Sequence, residues 1–442
     1  MDTAPQASAA APAFIDKGFR RHRRYTLFML TLVFMFSHID RSIVGILAEP
    51  IKAEFALSDT QLGVLTGFAF ALVYATLGIP LALLADRSNR RNIITAAITV
   101  WSAMTALSGF ATNYTQLVLA RIGVGVGEAG STPQSHSMIA DLYPQHERAR
   151  ALAIYSLGVT LGVTFGFLAG GVVSSLWGWR AAFFVVGLPG LALAVIFRLT
   201  VREPQRGLAD GTSPGEAHAQ MPSLQKLREA ARFMWQSGAC RHVTIGLTLT
   251  AIAGYGGLMW IAPFLERSFA VPRAELGAIL GPAAGLIGAV GTILGGYLAD
   301  RLGRTNLGWK GWIVGYAKFV AAPLAICGYL QADLLTALLF YMPATFFGAF
   351  YHGPGIAIIQ SVAPPSMRAT VSSILIFIIS LVGLGFGPLA VGMLSDFLEP
   401  LYGKESLRYA LMSTALLNIW AGVHYLLAGT AFAREMKAPV LQ

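Results

Sequence analysis

Residues 295–304 read Gly-Gly-Tyr-Leu-Ala-Asp-Arg-Leu-Gly-Arg, and the four letters Leu-Ala-Asp-Arg at 298–301 also occur at 84–87. A second pattern, Pro-x-x-x-Arg-Ala, occurs at 144–149 and again at 364–369. The two motifs recur at offsets of 214 and 220 residues. Two motifs that repeat at nearly the same offset rarely arise by chance, so the chain is predicted to consist of two similar halves.

The composition around these motifs is that of an integral membrane protein. Hydrophobic residues make up 55% of the chain and charged residues only 12%. Apolar stretches of about 20 residues, the length that crosses a bilayer, begin near residues 25, 60, 91, 114, 151, 180, 239, 274, 309, 333, 369 and 407. We therefore predict an all-α fold with twelve transmembrane helices in two six-helix halves.

A polar segment at residues 201–237 separates the halves and begins with a concentration of Gly, Pro, Asp and Glu. The predicted organisation is a tail at 1–24, a first half at 25–200, a linker at 201–237, a second half at 238–433 and a tail at 434–442. Within the linker, 222–235 has the pattern of an amphipathic helix lying on the membrane surface; a solvated linker helix would show the same pattern.

Arginines are concentrated in the loops on the side of the membrane that carries both tails. The positive-inside rule makes that side cytoplasmic. We expect a monomeric, multi-pass protein of a bacterial-type inner (plasma) membrane, with the lipid bilayer as its surroundings and both termini in the cytoplasm.

The remaining composition argues against several classes of protein. The net charge of +10 comes without basic runs interleaved with aromatics, so no nucleic-acid partner is expected. Two cysteines are too few for a disulfide framework, and no Cys, His and carboxylate spacing suggests a metal site. No nucleophile and base constellation is apparent, so we predict no enzyme and no cofactor.

Four charged residues fall inside apolar stretches, where each bare charge costs about 3 kcal/mol to insert at the bilayer centre. Asp40 and Arg41 are adjacent within 26–48, and Arg121 and Glu128 are seven residues apart, on one face of a helix. In a two-half membrane protein such residues face a central cavity or pair inside the bundle. These four residues are the predicted functional centre.

Their chemistry suggests distinct roles. Arg41 and Arg121 keep their charge and present forked donors, so we predict that they bind an anionic head group. Asp40 and Glu128 can change charge and are the predicted proton-coupling residues, with His38 as a further candidate. The alternatives are a permanent structural salt-bridge cluster and, for His38, a packing role.

The second half lacks matching charges. At the 214-residue offset the counterpart of Asp40 is Gly254, and residues 334–361 contain no Asp, Glu, Lys or Arg. Further predicted substrate contacts are therefore the aromatic and methionine side chains of this half: Tyr255, Met259, Trp260, Phe347 and Tyr351. A cavity charged on one wall and aromatic on the other suits a molecule with a polar head and an apolar body.

From residue 25 to 433 the chain resembles the major facilitator superfamily. The loop at 82–91 is similar to the signature Gly-x-x-x-Asp-Arg-x-Gly-Arg-Arg, with Ala82 and Asn89 replacing its glycines, and 296–304 is the closer copy. Residues 162–171 resemble the antiporter motif, with Phe167 in place of its proline. The resemblance implies the major facilitator fold and a cytoplasmic gate formed by Asp86, Arg87, Arg90, Asp300, Arg301 and Arg304.

Two further segments, Ser37-His38-Ile39-Asp40-Arg41 and the glycine-rich stretch 121–129, resemble the Spinster group of lipid transporters. This implies proton-coupled rocking of the two halves and a lysolipid or sphingolipid-like substrate. We thus expect a proton-coupled secondary active transporter of an anionic amphiphile. Alternatives are a transporter of a soluble organic anion, sugar phosphate or drug, and a non-transporting membrane receptor or scaffold.

Overall fold

The computed structural model describes residues 17–209, 224–364 and 367–437. Over these ranges the chain is helical and contains no strand, because a helix satisfies its own backbone hydrogen bonds in lipid. The first half, the N-half, comprises α1 (Lys17–Ile46), α2 (Asp59–Gly63, Val64–Phe68 and Ala69–Arg87), α3 (Arg90–Ser108), α4 (Tyr114–Glu128 and Thr132–Leu142), and α5 and α6 within Gln145–Thr200.

The second half, the C-half, repeats this arrangement. It comprises α7 (Gly238–Phe269), α8 (Arg273–Pro282, Ala283–Ile287 and Gly288–Gly303), α9 (Trp309–Tyr329), α10 (Leu334–Gly348, Ala349–Tyr351 and His352–Val362), α11 (Arg368–Ile378, Ile379–Phe386 and Gly387–Tyr402) and α12 (Ser406–Glu435). Both described chain ends lie on one face of the membrane, which we call the tail face; the other is the far face.

Eight helical segments among the described residues are long and apolar enough to cross a membrane by themselves. Two of them hold two helices each, because glycines with positive φ reverse the chain: Gly178 (φ 83°) between α5 and α6, and Gly403 (φ 54°) between α11 and α12. Helix α3 and the interrupted α4 complete the twelve.

The internal repeat extends to backbone conformation. Ala56, which ends the short helix Ala48–Phe55, and Ala270, which ends α7, both adopt the left-handed conformation, with φ of 50° and 52°. This conformation costs a residue with a Cβ about 1 kcal/mol. The two alanines are 214 residues apart, so both halves keep the same strained helix end.

The linker forms a helix at Leu224–Gln236. Ala230 and Met234 are buried in a cluster with C-half residues such as Val243 and Phe432, whereas Trp235 is exposed. One face of this helix therefore packs on the C-half. Residues 222 and 223 of the predicted amphipathic segment lie outside the described residues, and the predicted domain boundaries stay predictions.

A row of glycines on α5 positions α1. Gly158, Gly162, Gly166 and Gly170 each face the α1 backbone or side chains, and a Cβ built on Gly162 would lie 2.5 Å from the Cβ of His38. Helices approach this closely only where small residues line the contact. The row therefore fixes the segment of α1 that carries Asp40 and Arg41.

The hydrophobic core shows which side of the molecule is closed. One cluster, in the part of the bundle nearer the far face, joins N-half residues such as Leu62 to C-half residues such as Trp260 and Leu407. Nearer the tail face the core divides into two clusters, one formed almost entirely by the N-half and one by the C-half and linker helix. The halves thus pack together at the far face and separate toward the tail face.

We expect Gly162→Ala to destabilise the protein by about 1–3 kcal/mol, because the added methyl group overpacks the α1 contact. Gly78→Ala is the matched control, since a Cβ at Gly78 meets no atom within 4 Å. The apparent melting temperatures of both variants, purified in one detergent, test this. Equal melting temperatures would contradict the assigned role of the glycine row.

Candidate functional site

An ion pair between α1 and α4 forms the centre of the candidate site. The Nε of Arg41 donates to Oε2 of Glu128 at 2.7 Å, and the Ser37 hydroxyl donates to the same oxygen at 3.0 Å. Glu128 is 1% exposed, whereas the Arg41 side chain is 15% exposed. The acid is therefore enclosed, and its arginine partner lies at the edge of the water-accessible space.

Aromatic rings hold the Arg41 guanidinium in place. Its central carbon lies 4.9 Å from the ring centre of Phe70 and 4.7 Å from that of Tyr74, both on α2. Tyr255 of α7 is within electrostatic reach of the same guanidinium. Such cation–π contacts orient an arginine without neutralising its charge, so the charge remains available to a second anion.

Asp40 and Arg121 lie beside this pair and are 2% and 1% exposed. Arg121 Nη1 donates to the backbone oxygen of Asp40 at a long 3.4 Å. Asp40 Oδ1, Glu128 Oε1 and Arg121 Nε are buried without a hydrogen-bond partner. Because buried charged atoms are normally satisfied, this four-residue cluster, with two acids and two arginines, is poorly explained by stability alone.

The structure places His38 in a packing environment. Its Nδ1 lies 3.0 Å from the Phe34 carbonyl oxygen, and its ring packs edge-on against Phe34 at 4.5 Å. The proton-coupling role of His38 stays a prediction.

The predicted aromatic residues of the C-half occupy two regions. Phe347 packs with Phe346 and Phe350 on α10, and Tyr351 stacks on His352 with ring centres 4.0 Å apart. Met259 and Trp260, in contrast, are 3% and 1% exposed within the core that joins the two halves. Their contact with substrate in this conformation is blocked by that packing, and their binding role stays a prediction.

Of the predicted gate residues, Arg90 is buried and holds the start of the linker. It pairs with Asp141 on α4, and its Nε donates to Glu203 at 2.7 Å. Asp300 lies 4.0 Å from Lys310, Arg301 Nη1 donates to the Tyr297 hydroxyl at 3.4 Å, and Arg304 is exposed. The side chains of Asp86 and Arg87 lie outside the described residues.

The far face carries an ionic network that the sequence analysis missed. Arg267 of α7 donates to Glu49 at 2.6 Å and to both carboxylate oxygens of Asp59 at 2.7 Å. Asp396 of α11 accepts from the Asp59 backbone N–H at 2.8 Å, and Lys52 lies 2.5 Å from the Asp59 carboxylate. We call this set the far-face lock; it joins the N-half to the C-half.

The tail face has a different arrangement. There, the ion pairs between described side chains join two residues of the same half or, in the case of Arg90 and Glu203, join the N-half to the start of the linker. Together with the divided core, this shows that the halves are joined at the far face and less closely joined at the tail face.

Two residues that were not predicted from the sequence, Arg267 of the far-face lock and the buried Lys318 of α9, nevertheless left a signal in it. Arg267 follows Glu266 in the last turn of α7, close to the loops that carry Glu49, Glu54 and Asp59, and Lys318 is the single charge near the middle of α9. The rule applied to Asp40, that an intramembrane charge marks function, applies equally to Lys318.

A family model described as Major Facilitator Superfamily matches residues 30–388. The chain belongs to this superfamily. The predicted fold, with two six-helix halves, is thereby confirmed, and the protein is a membrane transporter rather than an enzyme.

Similar proteins show which transporters within the superfamily the chain resembles. A solved bacterial homolog of the human lysosomal transporter Spinster, in an inward-facing and unoccupied conformation, superimposes with a TM-score of 0.83 at 32% identity over 96% of this chain and 100% of that one. An MFS-type efflux pump of Mycolicibacterium smegmatis is 33% identical over 98% of this chain and 99% of its own. The Spinster resemblance of the sequence is confirmed.

Two further relatives carry substrate names. The sphingosine-1-phosphate transporter SPNS2 of Danio rerio is 27% identical over 90% of this chain and 82% of its own. A probable L-galactonate transporter of Escherichia coli is 26% identical over 89% of this chain and 88% of its own.

We expect Arg41→Met to destabilise the protein by about 3–5 kcal/mol, because it leaves the enclosed Glu128 carboxylate without its cation. Glu128→Gln is expected to cost less, since Arg41 at the edge of the cavity can turn toward water. Thermal unfolding of both variants and the double variant tests this, with the double variant less destabilised than the sum of the single changes. Additive effects would contradict the pairing.

We expect Arg267→Ala to release the far-face lock and separate the halves at that face. Spin labels at Thr112→Cys and Ala332→Cys, in a chain with Cys240 and Cys327 replaced, report the distance across it. The matched control is Arg180→Ala, which removes a 2.7 Å pair with Glu54 inside the N-half. Longer distances for Arg267→Ala alone are expected; an unchanged distribution would contradict the lock.

Proposed function

We propose that this protein is a proton-coupled secondary active transporter that moves an anionic, lysolipid-like amphiphile by alternating access. The observation that carries the proposal is the Arg41–Glu128 pair at 2.7 Å, in which the arginine is partly exposed and the acid is not; the aromatic cluster on α10 supports an apolar part of the ligand. A phosphate or carboxylate head group fits the forked guanidinium, and an acyl chain fits the apolar rings of α10.

The pair also supplies a way to couple protons to substrate. An anionic head group that engages Arg41 competes with the Glu128 carboxylate for the same donors. A carboxylate that is 1% exposed and has lost its counter-charge is more stable when it binds a proton. Substrate binding and protonation of Glu128 would then occur together, while Asp40, beside Arg121, offers a second carboxyl group.

Alternating access requires one face to close as the other opens. The far-face lock and shared core close the far face, and separation of the halves opens the tail face. We propose that the tail face is cytoplasmic, in accordance with its arginine-rich loops. The protein would then function as a monomer in a bacterial-type inner membrane, with this structure representing its cytoplasm-open state.

A second candidate, transport of a soluble organic anion, is favoured by the similarity to the L-galactonate transporter. Arg41 would bind a sugar acid as readily as a phosphate head group. The similarity to SPNS2, whose name specifies sphingosine 1-phosphate, supports the amphiphile instead. The half-buried rings of Phe346 and Phe347 also favour a ligand with an apolar body.

Binding to the purified protein distinguishes the two. We expect sphingosine 1-phosphate or lysophosphatidylglycerol to bind the wild type, with an affinity that changes between acidic and alkaline pH. Binding is expected to fall at least about tenfold in Arg41→Ala, the loss typical of one charge-assisted contact, but not in the control Arg180→Ala. If only galactonate binds, the substrate is a soluble anion and not an amphiphile. Lysolipid binding that does not depend on pH would contradict proton coupling.

A further inference from the structure

Lys318 is a buried cation at the middle of α9. It is 2% exposed, and its Nζ donates to the carbonyl oxygen of Gly348 at 2.8 Å. Gly348 ends the first segment of α10, where the helix tightens into the 3₁₀ turn Ala349–Tyr351 before it resumes at His352. A cation at this position satisfies a carbonyl at the helix end and interacts favourably with its dipole.

The charge of Lys318 is not balanced as the N-half charges are. Asp40, Arg41, Arg121 and Glu128 contain two acids and two arginines. Among the described residues, no carboxylate forms an ion pair with Lys318. A buried cation without an acid is costly, so a positive charge on Lys318 has no balancing carboxylate of its own.

Two tyrosines connect this cation to the candidate site. The Lys318 amine lies 4.8 Å from the ring centre of Tyr351, and Tyr351 is within electrostatic reach of Tyr255. Tyr255 in turn interacts with Arg41 across the two halves. Lys318 thus lies against Tyr351 in the C-half, as Arg41 lies against Tyr74 in the N-half.

His352 lies beside Tyr351 at the break in α10. His352 is exposed, although it lies inside α10, stacks on Tyr351 and is within electrostatic reach of Lys318. A ligand beside His352 and Tyr351 would experience the charge of Lys318 without touching its amine.

We propose that Lys318 determines specificity in the C-half: it fixes the break in α10 and gives this wall of the cavity its preference for an anionic ligand group. The inference rests on the proposed function and deepens it, because it assigns a second source of positive charge opposite Arg41. Lys318 acts through Tyr351 and His352 and is a positioning residue, not one that contacts the substrate.

The test compares two lysolipids with the same acyl chain, anionic lysophosphatidylglycerol and zwitterionic lysophosphatidylcholine, together with galactonate. Binding is measured for the full-length wild type and for Lys318→Met, Lys318→Gln and Lys318→Arg. Lys404→Met, which removes an exposed far-face lysine, is the matched control for net charge. Melting temperatures confirm that each variant is folded.

We expect Lys318→Met and Lys318→Gln to weaken binding of the anionic lysolipid about tenfold relative to the zwitterionic one. Lys318→Arg and Lys404→Met should keep the wild-type preference. An equal loss of affinity for both lipids in Lys318→Met, with the affinity recovered in Lys318→Gln, would mean that Lys318 only caps a helix and would overturn the inference. Unchanged affinities for both lipids would overturn it as well.

The failure of the proposed function gives a different result. If the wild type binds galactonate but neither lysolipid, the amphiphile is wrong, and a tenfold weaker galactonate affinity in Lys318→Met would still support the inference. Galactonate binding independent of Lys318, or no binding of any of the three ligands, would overturn both.

Discussion

A bilayer does not solvate charge, so every ion inside the bundle needs a partner or a path to water. The contact between Arg41 and Glu128 meets this constraint for the N-half and joins α1 to α4. Other features of the structure serve this contact. The α5 glycines allow α1 to approach, and the rings of Phe70 and Tyr74 orient the arginine without removing its charge. The result is a pair that is held in place yet exposed at one end.

The same constraint separates the two faces of the molecule. At the far face, Arg267 satisfies acids that would otherwise repel one another, and in doing so it fastens the halves together. At the tail face the described ion pairs stay within one half or join the N-half to the start of the linker, so separating the halves breaks none of them. For the tail face to close, the far-face lock must break, and the two halves must form contacts at the tail face that are absent from this conformation.

Much of this was accessible from sequence because lipid imposes simple patterns. Apolar length predicted the twelve helices, the repeated motifs predicted two halves, and the cost of buried charge identified Asp40, Arg41, Arg121 and Glu128 as neighbours. Which acid pairs with which arginine was harder to predict. The structure joins Arg41 to Glu128 but leaves the Asp40 carboxylate without an arginine contact. Spacing along one helix does not determine which side chains meet across two helices. The far-face lock was missed because Asp59 and Arg267 meet only in the folded chain and resemble ordinary loop charges in the sequence.

In the proposed cycle, an anionic ligand displaces Glu128 from Arg41, and Glu128 then binds a proton. Proton exchange on mixing lysophosphatidylglycerol with weakly buffered protein, followed with a pH indicator, measures this step directly. We expect proton uptake by the wild type and a marked loss of that uptake in Glu128→Gln at saturating ligand. Saturating ligand binding to the wild type without proton uptake would contradict it.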